Sequence, residues 1–174
     1  MTFTDTHCHL ADPKLADTLP AVLAEAQAVG VARFIVPATS PNDWQAVAQL
    51  ERPSENIHIA LGIHPWFSDG LNEAAFQELE SELIRHPQAW VGEIGLDFYG
   101  KEQTQAQRDT QTEVFIRQLI LAQNLNRRVI IHNLKATATI AVAVKTAGFT
   151  RGGIVHAFSG SVEEARILVK LGFK

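Results

Sequence analysis

The sequence predicts an α/β protein of the (β/α)8 TIM-barrel type, with only about six β/α units present. Three observations carry that reading. Six short apolar runs alternate with six helix-like segments, the pattern of a parallel sheet wrapped by helices. The runs start near residues 3, 32, 57, 89, 127 and 152, about 30 residues apart; eight such units would need about 240 residues, close to the ~250 of this barrel. Third, His7, His9, His64, Glu93, His132 and His156 all fall in or just after apolar runs. We place them at the strands' C-terminal ends, which converge on one mouth in a barrel. An open, doubly wound sheet is the competing architecture, but its outer strands would lie too far apart to share a site.

The chain opens on Phe3-Thr4-Asp5-Thr6-His7-Cys8-His9. Side chains alternate along a strand, so His7 and His9 point one way and Cys8, a packing residue, points the other. A helix near 18–29 follows, with Leu19, Val22, Leu23, Ala26 and Val29 on one face and Gly30 as its stop. Residues 33–38 form a continuous apolar run, read as a strand buried on both faces. Ser40-Pro41 reads as an N-cap and first helical proline, opening a helix to about Leu50.

The third strand, 57–63, runs into the turn His64-Pro65-Trp66. A helix spans 72–85, with Phe76, Leu79 and Leu83 on one face. The fourth strand, 90–96, ends in Asp97. Thr104 and Gln107 form a capping box for a helix to about Leu125. Strand 129–131 leads into His132, and a helix through Ala147 ends at Gly148. Strand 153–155 leads into His156. Ser161 and Glu164 form a second capping box, for a helix stopping near Gly172. A seventh strand would start at Leu171-Gly172-Phe173-Lys174, so we expect a single domain over 1–174 with the C-terminal part of the barrel missing.

Composition narrows the function classes. Hydrophobic residues are 46% and charged residues 20%, ordinary for a globular domain. Net charge is −4, so no global basic field advertises nucleic acid; a site metal can still supply positive charge locally. The single Cys8 allows no internal disulfide, and there is no membrane-length apolar stretch or secretory leader pattern, which together suggest a cytoplasmic protein.

His7, His9, Glu93, His132 and His156 together suit Zn, Mn or a similar ion. Five ligands exceed one four-coordinate site with an open position. They fit two divalent metals sharing the Glu93 carboxylate, ~3.5–4 Å apart in such sites. His64 is a ligand, a substrate contact or a turn residue; we place it, with Asp97, in a supporting or substrate-binding role. His58 and His86 are set aside as hydrogen-bonded structural residues.

Five segments now resemble the TatD family of metal-dependent deoxyribonucleases, among the amidohydrolase-like barrels: Asp5-Thr6-His7-Cys8-His9, Gly62-Ile63-His64-Pro65, Gly92-Glu93-Ile94-Gly95-Leu96-Asp97, Val129-Ile130-Ile131-His132 and Val155-His156-Ala157-Phe158-Ser159-Gly160. The resemblance implies that His7 and His9 bind one metal (Zn, Mg or Mn), that Glu93 bridges and is catalytic, and that His132 and His156 bind the second. It implies a hydrolase cleaving DNA phosphodiester bonds at ends or in single strands. In place of the family's arginine after the fifth-strand histidine stands Leu134, followed by Lys135. The family's last ligand, an aspartate after the eighth strand, has no counterpart, so the expectation is a chain of impaired activity on its own. Two further readings stand beside the nuclease: a binuclear-metal hydrolase of a small amide or ester, and an inactive metal-binding fragment that self-associates, or takes a C-terminal partner piece, through exposed barrel edges.

Overall fold

A computed structural model describes residues 1–52, 56–100 and 102–174. Six strands form one sheet: β1 (Phe3–Asp5), β2 (Val31–Pro37), β3 (Ile57–Leu61), β4 (Trp90–Asp97), β5 (Val129–Leu134) and β6 (Gly153–His156). Neighbours in the chain are neighbours in the sheet, and every pairing is parallel. The helices between them are α1 (Leu19–Ala28), α2 (Trp44–Ala48), α3 (Glu73–Arg85), α4 (Gln105–Asn124) and α5 (Thr137–Thr146), and α6 (Val162–Lys170) follows β6. Phe173 and Lys174 then lie beside β6: the Lys174 N–H donates to Gly153 O at 3.0 Å, and the Val155 N–H donates to Lys174 O at 2.9 Å.

The sheet is curled, and one distance shows it. Adjacent strands lie ~4.8 Å apart, so the first and last of six strands in a flat sheet would be ~24 Å apart. The His7 ring, just beyond β1, instead stacks on the His156 ring at the end of β6, with centroids 3.6 Å apart and planes at 6°. This is the wall of a TIM-type barrel, as the sequence predicts.

Curling divides the apolar residues between two faces. Ile35, Ala60 and Ile130 pack together on the inner face, with Trp90 and Ile154 against them. Phe34, Val36, Ile59, Leu61, Val129 and Ile131 pack outward into the larger core under the helices, with Leu79, Leu83, Phe115 and Leu119. Because both faces of the central strands are covered, their sequences are continuous apolar runs without alternation. On the inner face, Ile130 is followed two residues later by His132, and Ile154 by His156; the register sets His132 directly beside His156. Alternation along each strand therefore carries the inward apolar residue into an inward imidazole at the mouth.

Four local expectations need correction. The helix expected from Ser40-Pro41 starts at Trp44, because the Asp43 carboxylate accepts from the backbone N–H groups of Thr39 (2.9 Å) and Ser40 (3.0 Å) and holds them in a turn. Val29, placed on the buried face of α1, is 75% exposed at that helix's C-cap. Glu93 is not at the end of its strand: it is the fourth residue of β4, where the pairing with β5 shifts register between Val91 and Ile94. β5 also runs past Ile131 to Leu134, so His132 is still in the ladder.

Helix α4 fixes the strand ends with two buried amides. Gln118 accepts from the Ile63 N–H at 2.7 Å and donates to Ile63 O at 3.0 Å. Seven residues earlier, two helical turns, Gln111 accepts from the Asp97 N–H at 3.0 Å. Both side chains are buried. Gln118 thus satisfies the two backbone groups that β3 leaves open just before His64. Replacing it by Leu strands both, at about 1–3 kcal/mol each. We predict that Gln118→Leu lowers the unfolding free energy by about 2–4 kcal/mol in a urea titration with unchanged slope; a loss under about 0.5 kcal/mol would contradict this.

Candidate metal centre

The centre is built around the Glu93 carboxylate, 2% exposed. Its Oε2 lies 3.2 Å from His7 Nε2. Its Oε1 lies 2.9 Å from His132 Nδ1 and 3.9 Å from His64 Nε2. His9 Nε2 is 3.2 Å from His7 Nε2, and His9 itself is exposed at the mouth. β1, β3, β4 and β5 thus each deliver a ligand-type side chain to one point.

Backbone contacts explain how an eight-residue strand holds a charge at its middle. The Glu93 N–H donates to Ala38 O at 2.8 Å, just past β2, and the His64 N–H donates to Thr39 O at 2.8 Å. Gly92 lies so close to β5 that a Cβ there would sit 2.8 Å from Ile130 Cβ. Gly95, with φ +138°, lies against the His132 backbone, where a side chain would collide with the carbonyl oxygen. Glycine on either side of Glu93 is therefore a packing requirement that lets β5 bring His132 up to the carboxylate.

The electrostatics follow the contacts. Burial works to raise the Glu93 pKa; hydrogen bonds from His132 and His7, with the nearby imidazole charges, outweigh it and hold the carboxyl well below the usual carboxylate range. Burial likewise works to lower His132, but its bond to Glu93 and the charges of Glu93 and Asp97 raise it above the ordinary imidazole value. Burial pushes His64 down to about 4 despite Glu93, which keeps that ring neutral. His156 is lowered by burial and then by the adjacent His7. Cys8 points away, its Sγ 3.6 Å from Ile35 O, and burial, with Asp5, pushes its thiol up to about 12, as suits a packing residue.

Two groups of donors are close enough to share an ion: His7, His9 and Glu93, and His64, Glu93 and His132, the atoms of each lying within 4.8 Å of one another. Glu93 belongs to both. Among the described residues, His7 Nδ1 is buried without a hydrogen-bond partner and His132 Nε2 has only Asp97 Oδ2, at 3.4 Å and poorly aligned, an arrangement ordinarily avoided unless a ligand completes it. Neutral imidazoles with a carboxylate suit a borderline divalent ion such as Zn2+ or Mn2+. The residues present fit a metal.

The predicted site residues thus meet, but in a different arrangement. His64 stands with Glu93 and His132, where the sequence suggests His156. His156 stacks on His7, its ring centroid 6.1 Å from that of His132. Asp97 lies beyond His132, its Oδ2 3.4 Å from His132 Nε2 and accepting from the Trp66 indole N–H at 2.8 Å. A cavity of about 520 Å³ joins His7, His9, His64, Glu93, His132 and His156 with Trp66, Phe67, Thr39 and Asp43. Sequence reasoning did not single out Trp66, Gln111 or Gln118. For the glutamines a signal exists: they stand seven apart on a helix, on one face with Val114, Phe115, Leu119 and Ala122, where a core face would be apolar throughout.

Fold and cluster together define a barrel-type α/β protein with a histidine–carboxylate centre at its strand C-termini. Residues 4–174 match the family model described as TatD related DNase, and the chain belongs to the TatD family. The chain is 34% identical over 174 residues to "Uncharacterized metal-dependent hydrolase YjjV" of Escherichia coli K12, spanning 99% of this chain and 66% of that protein. The crystal structure of YjjV, a TatD homologue, superposes with a TM-score of 0.90 over 99% of this chain and 66% of that one. A Danio rerio relative, tatdn3, named as a candidate deoxyribonuclease, is 29% identical over 98% of this chain and 67% of its own length. A TatD family hydrolase from Entamoeba histolytica shares the fold, with a TM-score of 0.84 at 22% identity over 100% of this chain and 64% of that one. The chain therefore spans about two thirds of the length of the relatives it matches. No helix among the described residues is long and apolar enough to cross a membrane.

Binding at this centre stabilises the folded chain in proportion to saturation. At about 100 times Kd, Mn2+ or Zn2+ should add about 2.7 kcal/mol, raising the thermal midpoint by roughly 5–10 °C. A chelator should reverse the rise, and Glu93→Gln should abolish most of it. A midpoint indifferent to divalent ions would contradict the metal fit.

Proposed function

We propose that the chain carries the centre of a metal-dependent hydrolase that cleaves DNA phosphodiester bonds with two divalent ions. The observation that carries this reading is the membership of Glu93 in both donor groups, with its two oxygens turned toward different imidazoles. Two divalent ions so placed, when bound, lower the pKa of a water toward ~7 and neutralise charge on the attacking and leaving oxygens of a phosphoryl group.

The chain's own residues prepare that chemistry. Glu93 stays ionised and holds His7 and His132 in fixed orientations. His64 stays neutral; its Nδ1 accepts from the Trp66 backbone N–H at 3.2 Å, which puts the ring proton on Nε2, facing Glu93, until an ion displaces it. Asp97 faces His132 from the side opposite Glu93, an outer partner that orients a ligand ring. Glu93 and His132 are both buried at the base of the cavity. Support for DNA comes from the family description and from the name of the Danio rerio relative.

A second reading rests on one observation. Among its described lining residues the cavity has no Lys or Arg, and it includes Asp12 and Asp43. Such walls offer a polyanion no charge of their own, which favours a small neutral amide or ester.

Labelled single-stranded oligonucleotides, tested beside a panel of small amides and lactones with Mn2+, Mg2+ or Zn2+, separate the two readings. The nuclease reading predicts metal-dependent oligonucleotide cleavage, lost by more than ~100-fold in Glu93→Gln, since outer partners of such centres alone cost 10–100-fold. Turnover of amides or lactones alone would transfer the site to the second reading.

A further inference from the structure

The mouth of the cavity carries an aromatic device that the metal cluster does not use. Trp66 stands in the one-turn 3-10 helix Pro65–Phe67 after β3. Its indole N–H is spent inward, on Asp97 Oδ2 at 2.8 Å, yet the residue is 72% exposed. The His64 ring meets it edge-to-face, with centroids 5.0 Å apart at 78°. The other Asp97 oxygen accepts from the Tyr99 backbone N–H at 2.9 Å, which fixes the carboxylate that holds the indole.

An indole pinned in this way has a flat apolar face to offer and little rotamer freedom left to lose, the condition under which stacking is strongest. The cavity's described walls lack Lys and Arg, so a nucleic-acid backbone finds no side-chain cation there. With the phosphate left to the ions of the metal centre, the base is the part of a nucleotide that these walls can contact. We propose that Trp66 is a stacking platform for an unpaired nucleobase of single-stranded DNA beside the metal centre. This rests on the nuclease reading and adds a base contact to it: a paired base hides both faces in the duplex, so the indole serves unpaired nucleotides, with little sequence preference.

Anisotropy of a labelled thymidine hexamer with uncleavable phosphorothioate linkages, on the Mn2+-loaded chain, tests this. Stacking on one aromatic is worth ~1–3 kcal/mol by alanine substitution, so Trp66→Ala should raise Kd about 5- to 150-fold. Trp66→Phe keeps a ring and should restore Kd to within about threefold, which excludes misfolding as the cause. A hexamer of abasic residues should bind the unmodified chain about as weakly as the thymidine hexamer binds Trp66→Ala. Equal binding of the two hexamers, or an unchanged Kd in Trp66→Ala, overturns the proposal and leaves the nuclease reading standing. Failure of that reading shows separately, as no metal-dependent cleavage of any ordinary oligonucleotide, and takes the proposal with it.

Discussion

A carboxylate buried to 2% exposure cannot stand alone. Taking an ionised group out of water costs several kcal/mol unless close partners offset it. Glu93 meets that condition only because His7, His64 and His132 converge on it, at 3.2, 3.9 and 2.9 Å. His64 and His132 come from β3 and β5, the two neighbours of β4, but His7 comes from just beyond β1, three strands away and ~14 Å off in a flat sheet. Full compensation of the charge in β4 therefore depends on the curl of the sheet. The curl brings His7 in, and the three imidazoles together make the buried charge tolerable.

The scaffold around that contact is specialised at few points. Glycines 92 and 95 let β5 approach β4 closely enough for His132 to reach Glu93. Gln111 and Gln118, two turns apart on α4, take the backbone groups that β4 and β3 present near the mouth. Elsewhere the strands are filled by Ile, Val, Leu and Ala on both faces, where volume and shape are what matter. The site is thus rigid through its backbone as well as through its side chains. That suits a centre that must hold donor atoms in place before any ligand arrives.

Much of this was legible in the sequence, and the reasons differ by residue. Continuous apolar runs at regular spacing mark strands covered on both faces, and Thr104/Gln107 and Ser161/Glu164 mark helix starts that the structure shows as reciprocal caps. His7 and His9 meet on one side with Cys8 turned away, as their spacing suggests, although β1 ends at Asp5 and all three lie in the bend beyond it. The grouping of His64 with Glu93 and His132 was not legible, because it depends on how far β3 and β4 slide past one another. Nor was the start of α2, where a single Asp43 carboxylate outcompetes the Ser-Pro signal by binding two backbone N–H groups. Gln118 drew no reading from the sequence and Trp66 was only part of a turn; the fold shows what their polar atoms reach.

That one carboxylate joins two metal sites is our proposal, and metal stoichiometry tests it most directly. Elemental analysis of the equilibrated protein, paired with calorimetric titration of Mn2+ or Zn2+, counts ions per chain. The account predicts two ions for the unmodified chain, loss of both together in Glu93→Gln, and loss of one in His9→Ala. A single ion per chain, or a Glu93→Gln variant that still takes up two with unchanged affinity, would contradict it.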